Sequence, residues 1–179
     1  MKNVMILSTS MRKGGNSDTL ANAFAEGAKE AGHQVEKINL YEKEIGFCKG
    51  CQNCQKTGVC VIRDDMSSIL KKMETVDVLV FATPIYFYEM SGQMKTFLDR
   101  TFPIYPDKYR FKDVYLLASS ASLKEMMMDG AVRGLEGWIA CFDHARLAGV
   151  VCGTGAIQYG DIKIKEELLK STFDMGKAI

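Results

Sequence analysis

Five short apolar runs recur along the chain, each closed by small or polar residues: Asn3–Ser8, Gln34–Asn39, Val76–Ala82, Asp113–Ala118 and Arg146–Cys152. Longer stretches of helical period separate them. Strands that alternate with helices in this way form a parallel sheet, because parallel neighbours need a crossover connection rather than a tight turn. Ser17–Ala31 places Leu20, Phe24, Ala28 and Ala31 on one stripe, with Asn16 or Ser17 as cap and Gly32 as stop. Met66–Glu74 carries Met66, Ile69, Leu70 and Met73 at the same spacing, with Asp64 or Asp65 as its cap. Further helices are expected over Ser91–Thr101, over Met126–Phe142 as a mostly buried one, and over Lys163–Met175. The predicted fold is an α/β, three-layer α/β/α sandwich on a five-stranded parallel sheet. Right-handed crossovers favour the order 2-1-3-4-5, in which ligands bind beyond the carboxyl ends of the strands at the switch point.

The 179 residues suit a single domain, 1–179, carrying a cysteine-rich loop insertion at 46–63. Lys+Arg number 23 against Asp+Glu 22, and no dense basic run occurs, so neither nucleic acid nor a membrane surface is an expected partner. The first apolar run, Val4–Leu7, is too short for a signal-peptide core, and a cytoplasmic location is expected. There thiols stay reduced, so the 6 cysteines are to be read for metal or redox chemistry rather than for disulfides.

The first strand runs straight into Ser8-Thr9-Ser10-Met11-Arg12-Lys13-Gly14-Gly15-Asn16-Ser17 before a helix begins. Hydroxyls, amides freed by glycine and a helix N-terminus together make an anion site. The spacing is neither a P-loop nor G-x-G-x-x-G, so a terminal phosphomonoester suits it better than a triphosphate or a dinucleotide. An ordinary capped turn rich in Ser and Gly would read the same way. After the third strand comes Thr83–Arg100, opening with the apolar or aromatic Ile85, Tyr86, Phe87 and Tyr88 where a loop is normally polar. Such a patch covers either a flat ligand ring or a neighbouring subunit.

Together these two segments resemble the flavodoxin-like NADPH-dependent FMN reductase family, whose P-I-Y-x-x-x-M-S-G-x-x-K-x-F-x-D-R pattern is matched from Pro84 to Arg100. The resemblance implies a flavin mononucleotide held by Ser8, Ser10, Arg12, Asn16 and Ser17 at its phosphate, and by Pro84, Ile85, Tyr86 and Phe87 around its ring. Ser119, Ser120 and Ala121 are further implied contacts, although a glycine-rich stretch is commoner at that point. It also implies NAD(P)H as co-substrate, a small electron acceptor and no catalytic side chain; the apolar aromatics and a cofactor site open on one side predict a homodimer or tetramer with Tyr86, Tyr88 and the cysteine loop near the interface.

The insertion spells C-x2-C-x2-C-x5-C through Cys48, Cys51, Cys54 and Cys60. The first three spacings match those of a bacterial ferredoxin, while x5 in place of x3 departs from it. Four thiolates also satisfy tetrahedral zinc, and free cysteines pack well as small hydrophobes. The motif is similar to that of iron-sulfur flavoproteins, a branch of the same family, which implies a [4Fe-4S] cluster and an alternative role as an electron carrier with ferredoxin-like partners. A flavin redox sensor without turnover is a third reading. Cys141 and Cys152 read as buried core thiols, His33 as complementing a helix C-terminus, and His144 as remote from the site. Asp64 and Asp65 read as helix caps, and Met126-Met127-Met128 as adaptable packing or interface.

Overall fold

The computed structural model describes residues 1–179. Its elements run β1 (Asn3–Ser8), α1 (Asn16–Glu30), β2 (Gln34–Asn39), α2 (Asn53–Thr57), α3 (Met66–Met73) and β3 (Val78–Tyr86). They continue as β4 (Glu89–Met90), α4 (Gly92–Asp99), β5 (Asp113–Ser119), α5 (Asp129–Ile139), β6 (Arg146–Gly153) and α6 (Glu166–Lys177). The five long strands are parallel and stand in the order β2-β1-β3-β5-β6, the expected 2-1-3-4-5 arrangement.

Two expectations need correcting. The sheet has a sixth strand, because β3 does not stop at Ala82 but continues through Pro84, opposite Ser119, and folds back antiparallel onto Glu89–Met90. The two-residue turn is Phe87–Tyr88, with φ of 49° and 69°. That left-handed geometry matches the twist of a hairpin but is normally supplied by Asn and Gly. The helix expected over Met126–Phe142 is shorter and less buried: a 3-10 turn over Glu125–Met128 precedes α5, and only Ala131, Leu135 and Ile139 of α5 are buried. It lies on the outside of the sandwich, with one stripe on the sheet and the other face in solvent. Cys141 is also exposed, and Cys152 is half-buried.

Both faces of the sheet are covered, which is why the strands read as nearly continuous apolar runs. Met5, Leu7, Leu79, Phe81, Val114 and Leu116 face the layer formed by α3, α4 and α5. Val4, Ile6, Val78, Val80 and Leu117 face Leu20, Phe24 and Ala28 of α1, with α6 behind. Helices α1 and α6 cross almost backbone to backbone: a Cβ on Gly27 would sit 2.0 Å from the Phe173 carbonyl, and one on Gly176 would sit 2.2 Å from that of Phe24. His33 joins the chain ends, since its Nδ1 accepts from the Lys2 amide and its Nε2 lies 2.8 Å from the Ile179 carbonyl. That bonding adds to its expected place just past the C-terminus of α1. No helix is long and apolar enough to cross a membrane.

Candidate functional site

The sheet's register brings the carboxyl ends of four strands together: Ser8 beside Ala82, Pro84 beside Ser119, and Ser119 beside Gly153. The loop between β1 and α1 is held from below by Asp18. Its Oδ1 accepts from Ser8 Oγ at 2.9 Å and from Lys37 Nζ at 2.8 Å, and its Oδ2 accepts from the Gly14 amide at 3.0 Å. Burial works against the Asp18 charge, but the bonds from Lys37, Gly14 and Ser8 outweigh it and hold the carboxyl below its ordinary range. Above this brace, Ser10 Oγ donates to the Arg12 carbonyl and closes the turn. Gly15 at the N-cap of α1 offers no side-chain cap, so the first-turn amides stay open to a ligand. Ser17 Oγ is buried there with no hydrogen-bond partner.

The loop after β3 is tied to the first by hydroxyls. Ser91 Oγ caps α4 by accepting from the Met94 amide and donates to Thr9 Oγ1 at 3.0 Å, while Thr83 Oγ1 accepts from the Ser91 amide. The Phe87–Tyr88 turn rests on α5, where a Cβ on Gly130 would meet the Tyr88 carbonyl at 2.3 Å. This close approach holds a hairpin whose aromatic tips face solvent: Phe87 is 99% exposed and Tyr88 62%.

A cavity of about 180 Å³ lies between these loops. Of the residues singled out in the sequence, Ser10, Arg12, Asn16, Ser17, Pro84, Ile85, Tyr86, Ser119 and Ala121 line it, joined by Met11, Ala156 and Ile157. Ser8 does not, because its hydroxyl is buried and spent on Asp18. Phe87 projects away from it. Ser120 is occupied in the turn, with its amide on the Gly153 carbonyl and its hydroxyl accepting from Ser122. The Asn16 side chain is also engaged: Nδ2 donates to the Ala156 and Gln158 carbonyls, and Oδ1 accepts from the Ile162 amide. What Asn16 can offer an anion is therefore its backbone N–H. Asp18, Thr9 and Ser91 were missed in the sequence; an acidic residue in the first helical turn was the available signal for Asp18.

The cysteine loop is built differently. Its neck is closed by Glu44, whose carbonyl accepts from the Asp65 amide and whose own amide donates to Asp65 Oδ2, and by a clamp on Arg100, at the end of α4. Arg100 is 1% exposed; its Nη1 donates to the Gly46 carbonyl and to Asp64 Oδ2, both at 2.7 Å, and its Nη2 donates to Asp64 Oδ1 at 2.9 Å. Burial alone would raise the Asp64 carboxyl, but Arg100 and the Gly46 amide outweigh that and hold it low. Asp64 Oδ1 also accepts from the Met66 amide at the start of α3, whereas Asp65, at the N-cap itself, makes no side-chain cap. Gln55 ties the loop to the body through the Phe102 carbonyl at 3.0 Å.

Cys48, Cys51, Cys54 and Cys60 all line one cavity of about 350 Å³, together with Val61, Ile62 and Phe102. Burial and the neighbouring thiols, Cys60 first, push the Cys54 thiol up. Nowhere do three His, Cys, Asp or Glu side chains converge so as to hold a single metal ion. Four thiols lining one cavity are a donor set for a four-iron cluster and equally for a zinc ion. His144 lies elsewhere, exposed, with its amide on Tyr109 Oη.

A doubly wound sheet, an open helix N-terminus and an aromatic hairpin at its carboxyl edge define a flavodoxin-like protein. The model of the NADPH-dependent FMN reductase family matches residues 1–152, and the chain belongs to that family. Over 103 residues it is 40% identical to an iron-sulfur flavoprotein of Archaeoglobus fulgidus, covering 58% of this chain and 46% of that one. It is 30% identical over 123 residues to the putative NAD(P)H-dependent FMN-containing oxidoreductase YwqN of Bacillus subtilis, covering 64% of this chain and 65% of that protein. The chain spans about half the length of the iron-sulfur flavoproteins it matches. Its fold is shared with an NAD(P)H:quinone oxidoreductase from Methanothermobacter marburgensis, with a TM-score of 0.73 and 19% identity over 98% of this chain and 96% of that one.

Proposed function

We propose that the protein is an FMN-dependent oxidoreductase that takes reducing equivalents from NAD(P)H and delivers them to a small acceptor such as a quinone, a nitro compound or free flavin. The observation that carries this reading is the unpartnered, buried Ser17 hydroxyl beside the uncapped first turn of α1. A buried polar group without a partner costs about 1–3 kcal/mol, a cost removed when an anion supplies the acceptor. Bound FMN would supply the two-electron chemistry. The Ser17 hydroxyl, the Ser10 backbone N–H and the first-turn amides hold the phosphate, and Arg12 adds charge at the rim. Pro84, Ile85 and Tyr86 present a backbone edge and apolar area to the ring, with Ser119 and Ala121 on the neighbouring strand. Asp18 keeps the phosphate loop in place without touching the ligand. The cavity's 180 Å³ is too small to enclose a mononucleotide, which leaves a ring face accessible to a second substrate. Exposed Tyr86, Phe87, Tyr88 and Met126 around the rim support a homodimer; sedimentation as a monomer at micromolar concentration would refute that part. Titration of apoprotein with FMN, followed by NAD(P)H oxidation with a quinone acceptor, tests the whole reading. Turnover no faster than that of free FMN would overturn it.

A second reading is favoured by the cysteine cavity: an iron-sulfur flavoprotein that moves single electrons between a [4Fe-4S] group and FMN, with a ferredoxin-like partner. Iron and sulfide near zero in protein purified without oxygen would dismiss it.

A further inference from the structure

Arg100 has one nitrogen whose role the clamp does not explain. Its two terminal nitrogens are taken by Asp64 and the Gly46 carbonyl, whereas Nε is buried with no partner at hydrogen-bond geometry. A buried guanidinium N–H left open is rare, because charged donors are the costliest polar groups to leave unpaired. The fork cannot rotate to relieve it, since Asp64 grips both terminal nitrogens. Asp99 and Phe102, on either side of Arg100, line the cavity that Cys60 also lines, and Cys60 stands four residues before the Asp64 that Arg100 grips. Cys60 is the fourth cysteine of the cavity, and Asp64 and Gly46 bracket the neck of the loop that carries it.

We propose that Arg100 is a positioning residue for the metal group of the cysteine loop, with its Nε–H donating to the Cys60 sulfur while Asp64 and the Gly46 carbonyl hold the fork in place. This rests on the second reading above. A neutral thiol is a weak acceptor, but a thiolate bound to iron carries charge that a cationic N–H can bond, so the open donor acquires its partner when the group is in place. Such a bond stabilises the more negative, reduced form. Hydrogen bonds to cluster sulfurs are one of the ways a protein sets the potential. Arg100 thus connects the end of α4, and through α4 the loop after β3, to the fourth ligand.

The test is a dithionite titration, followed by electron paramagnetic resonance, of protein purified without oxygen, together with iron and sulfide analysis. Arg100→Lys keeps a buried cation for Asp64 but removes Nε. Its expected effect is full iron content and a roughly tenfold fall in the reduced-to-oxidised ratio at fixed poise, about 59 mV for one electron. Asp64→Asn removes a negative charge and loosens the fork, and its potential is expected to move the other way. A merely structural role would move both variants in the same direction, and that result, or an unchanged potential in Arg100→Lys, overturns the proposal. Should Arg100→Lys fail to fold, wild-type protein labelled with 15N in its guanidino groups decides: pulsed resonance of the reduced state shows a coupled arginine nitrogen, and its absence overturns the assignment. Wild-type protein without iron or sulfide overturns the cluster reading, and the proposal with it. Iron present with no coupled nitrogen overturns this proposal alone.

Discussion

The loops at the sheet's carboxyl edge and the cysteine loop are held in place by different means. The phosphate loop and the aromatic hairpin grow from the ends of β1, β3 and β5, whose relative positions follow from the register of one sheet. Hydroxyl bonds from Ser91 to Thr9, and from Ser8 to Asp18, then set the loops within that frame. The cysteine loop has no strand, and its one helix, Asn53–Thr57, has five residues and no buried side chain. It depends on the Arg100–Asp64 clamp and on Gln55. A site distributed over a sheet is expected to survive the loss of any one side chain; a site suspended from a single buried ion pair is not.

The largest effect follows from cutting that pair. Arg100→Met leaves Asp64 as an unpaired, nearly buried charge, for which the cost is about 3–5 kcal/mol. In a chain of this size that lowers the melting temperature by on the order of 10 °C, as calorimetry would record. FMN affinity is expected to be preserved, since α4's Ser91 end and not its Arg100 end touches the flavin loops. If FMN binding fell in parallel with stability, the two regions would not be independent.

Gly130→Ala comes next. A Cβ there meets the Tyr88 carbonyl at 2.3 Å, so the hairpin must lift from α5. Overpacking of this kind costs about 1–3 kcal/mol, and the aromatic rim moves with it. The expected outcome is weaker dimerisation at unchanged iron content, read by sedimentation and metal analysis. The complementary break is Gly15→Ala, whose Cβ would lie 2.7 Å from Ser10 Oγ and 3.0 Å from the Arg12 carbonyl. The fold has room to adjust, but the anion loop does not keep its shape. FMN is expected to bind about tenfold more weakly, equivalent to about 1.4 kcal/mol, with the cysteine loop unaffected. Loss of iron in Gly15→Ala, like loss of FMN in Arg100→Met, would refute the separation.

The same contrast explains what could be read from the chain. The strands β1 and β2 end where the apolar runs end, because there polarity and backbone change together at Ser8 and Asn39. The loops that carry Ser10, Ser17, Pro84 and Ile85 could be placed because a loop directly after a strand has nowhere to go but the sheet's carboxyl edge, whereas the choice of residues within them came from the family resemblance. The hairpin was not identifiable: Phe87 and Tyr88 adopt left-handed φ without the Asn or Gly that announces it. Nor was the use of Asn16, whose side chain bonds the Ala156 and Gln158 carbonyls 140 and 142 residues away. The pairing of Arg100 with Asp64, 36 residues apart, likewise left no local trace, so Asp64 read as a cap and Arg100 as the end of a motif. Local rules find groups that act where they stand, and long-range bonds decide which of those groups are already spoken for.

Acid exposes both regions to the same chemistry on a smaller scale. Asp18 and Asp64 each carry a folded-state carboxyl held below the ordinary carboxylate range despite burial. A depressed folded pKa means that the unfolded chain binds protons first as pH falls, so the stabilisation is fully present above about pH 4–5 and is lost through and below that range. Urea midpoints measured from pH 6 down to pH 2.5 are therefore expected to fall, more shallowly in Asp64→Asn and in Asp18→Asn than in wild type. The difference between these variants sharpens the comparison. Asp18 braces a loop fixed on other sides by β1 and α1, so its protonation loosens the flavin site without opening it, and FMN present in excess should recover much of the lost midpoint. Asp64 has no such support behind it, and FMN should not restore the acid loss that Asp64 contributes. Equal rescue by FMN of the portions removed in the two variants would mean that the clamp and the phosphate loop share one cooperative unit after all.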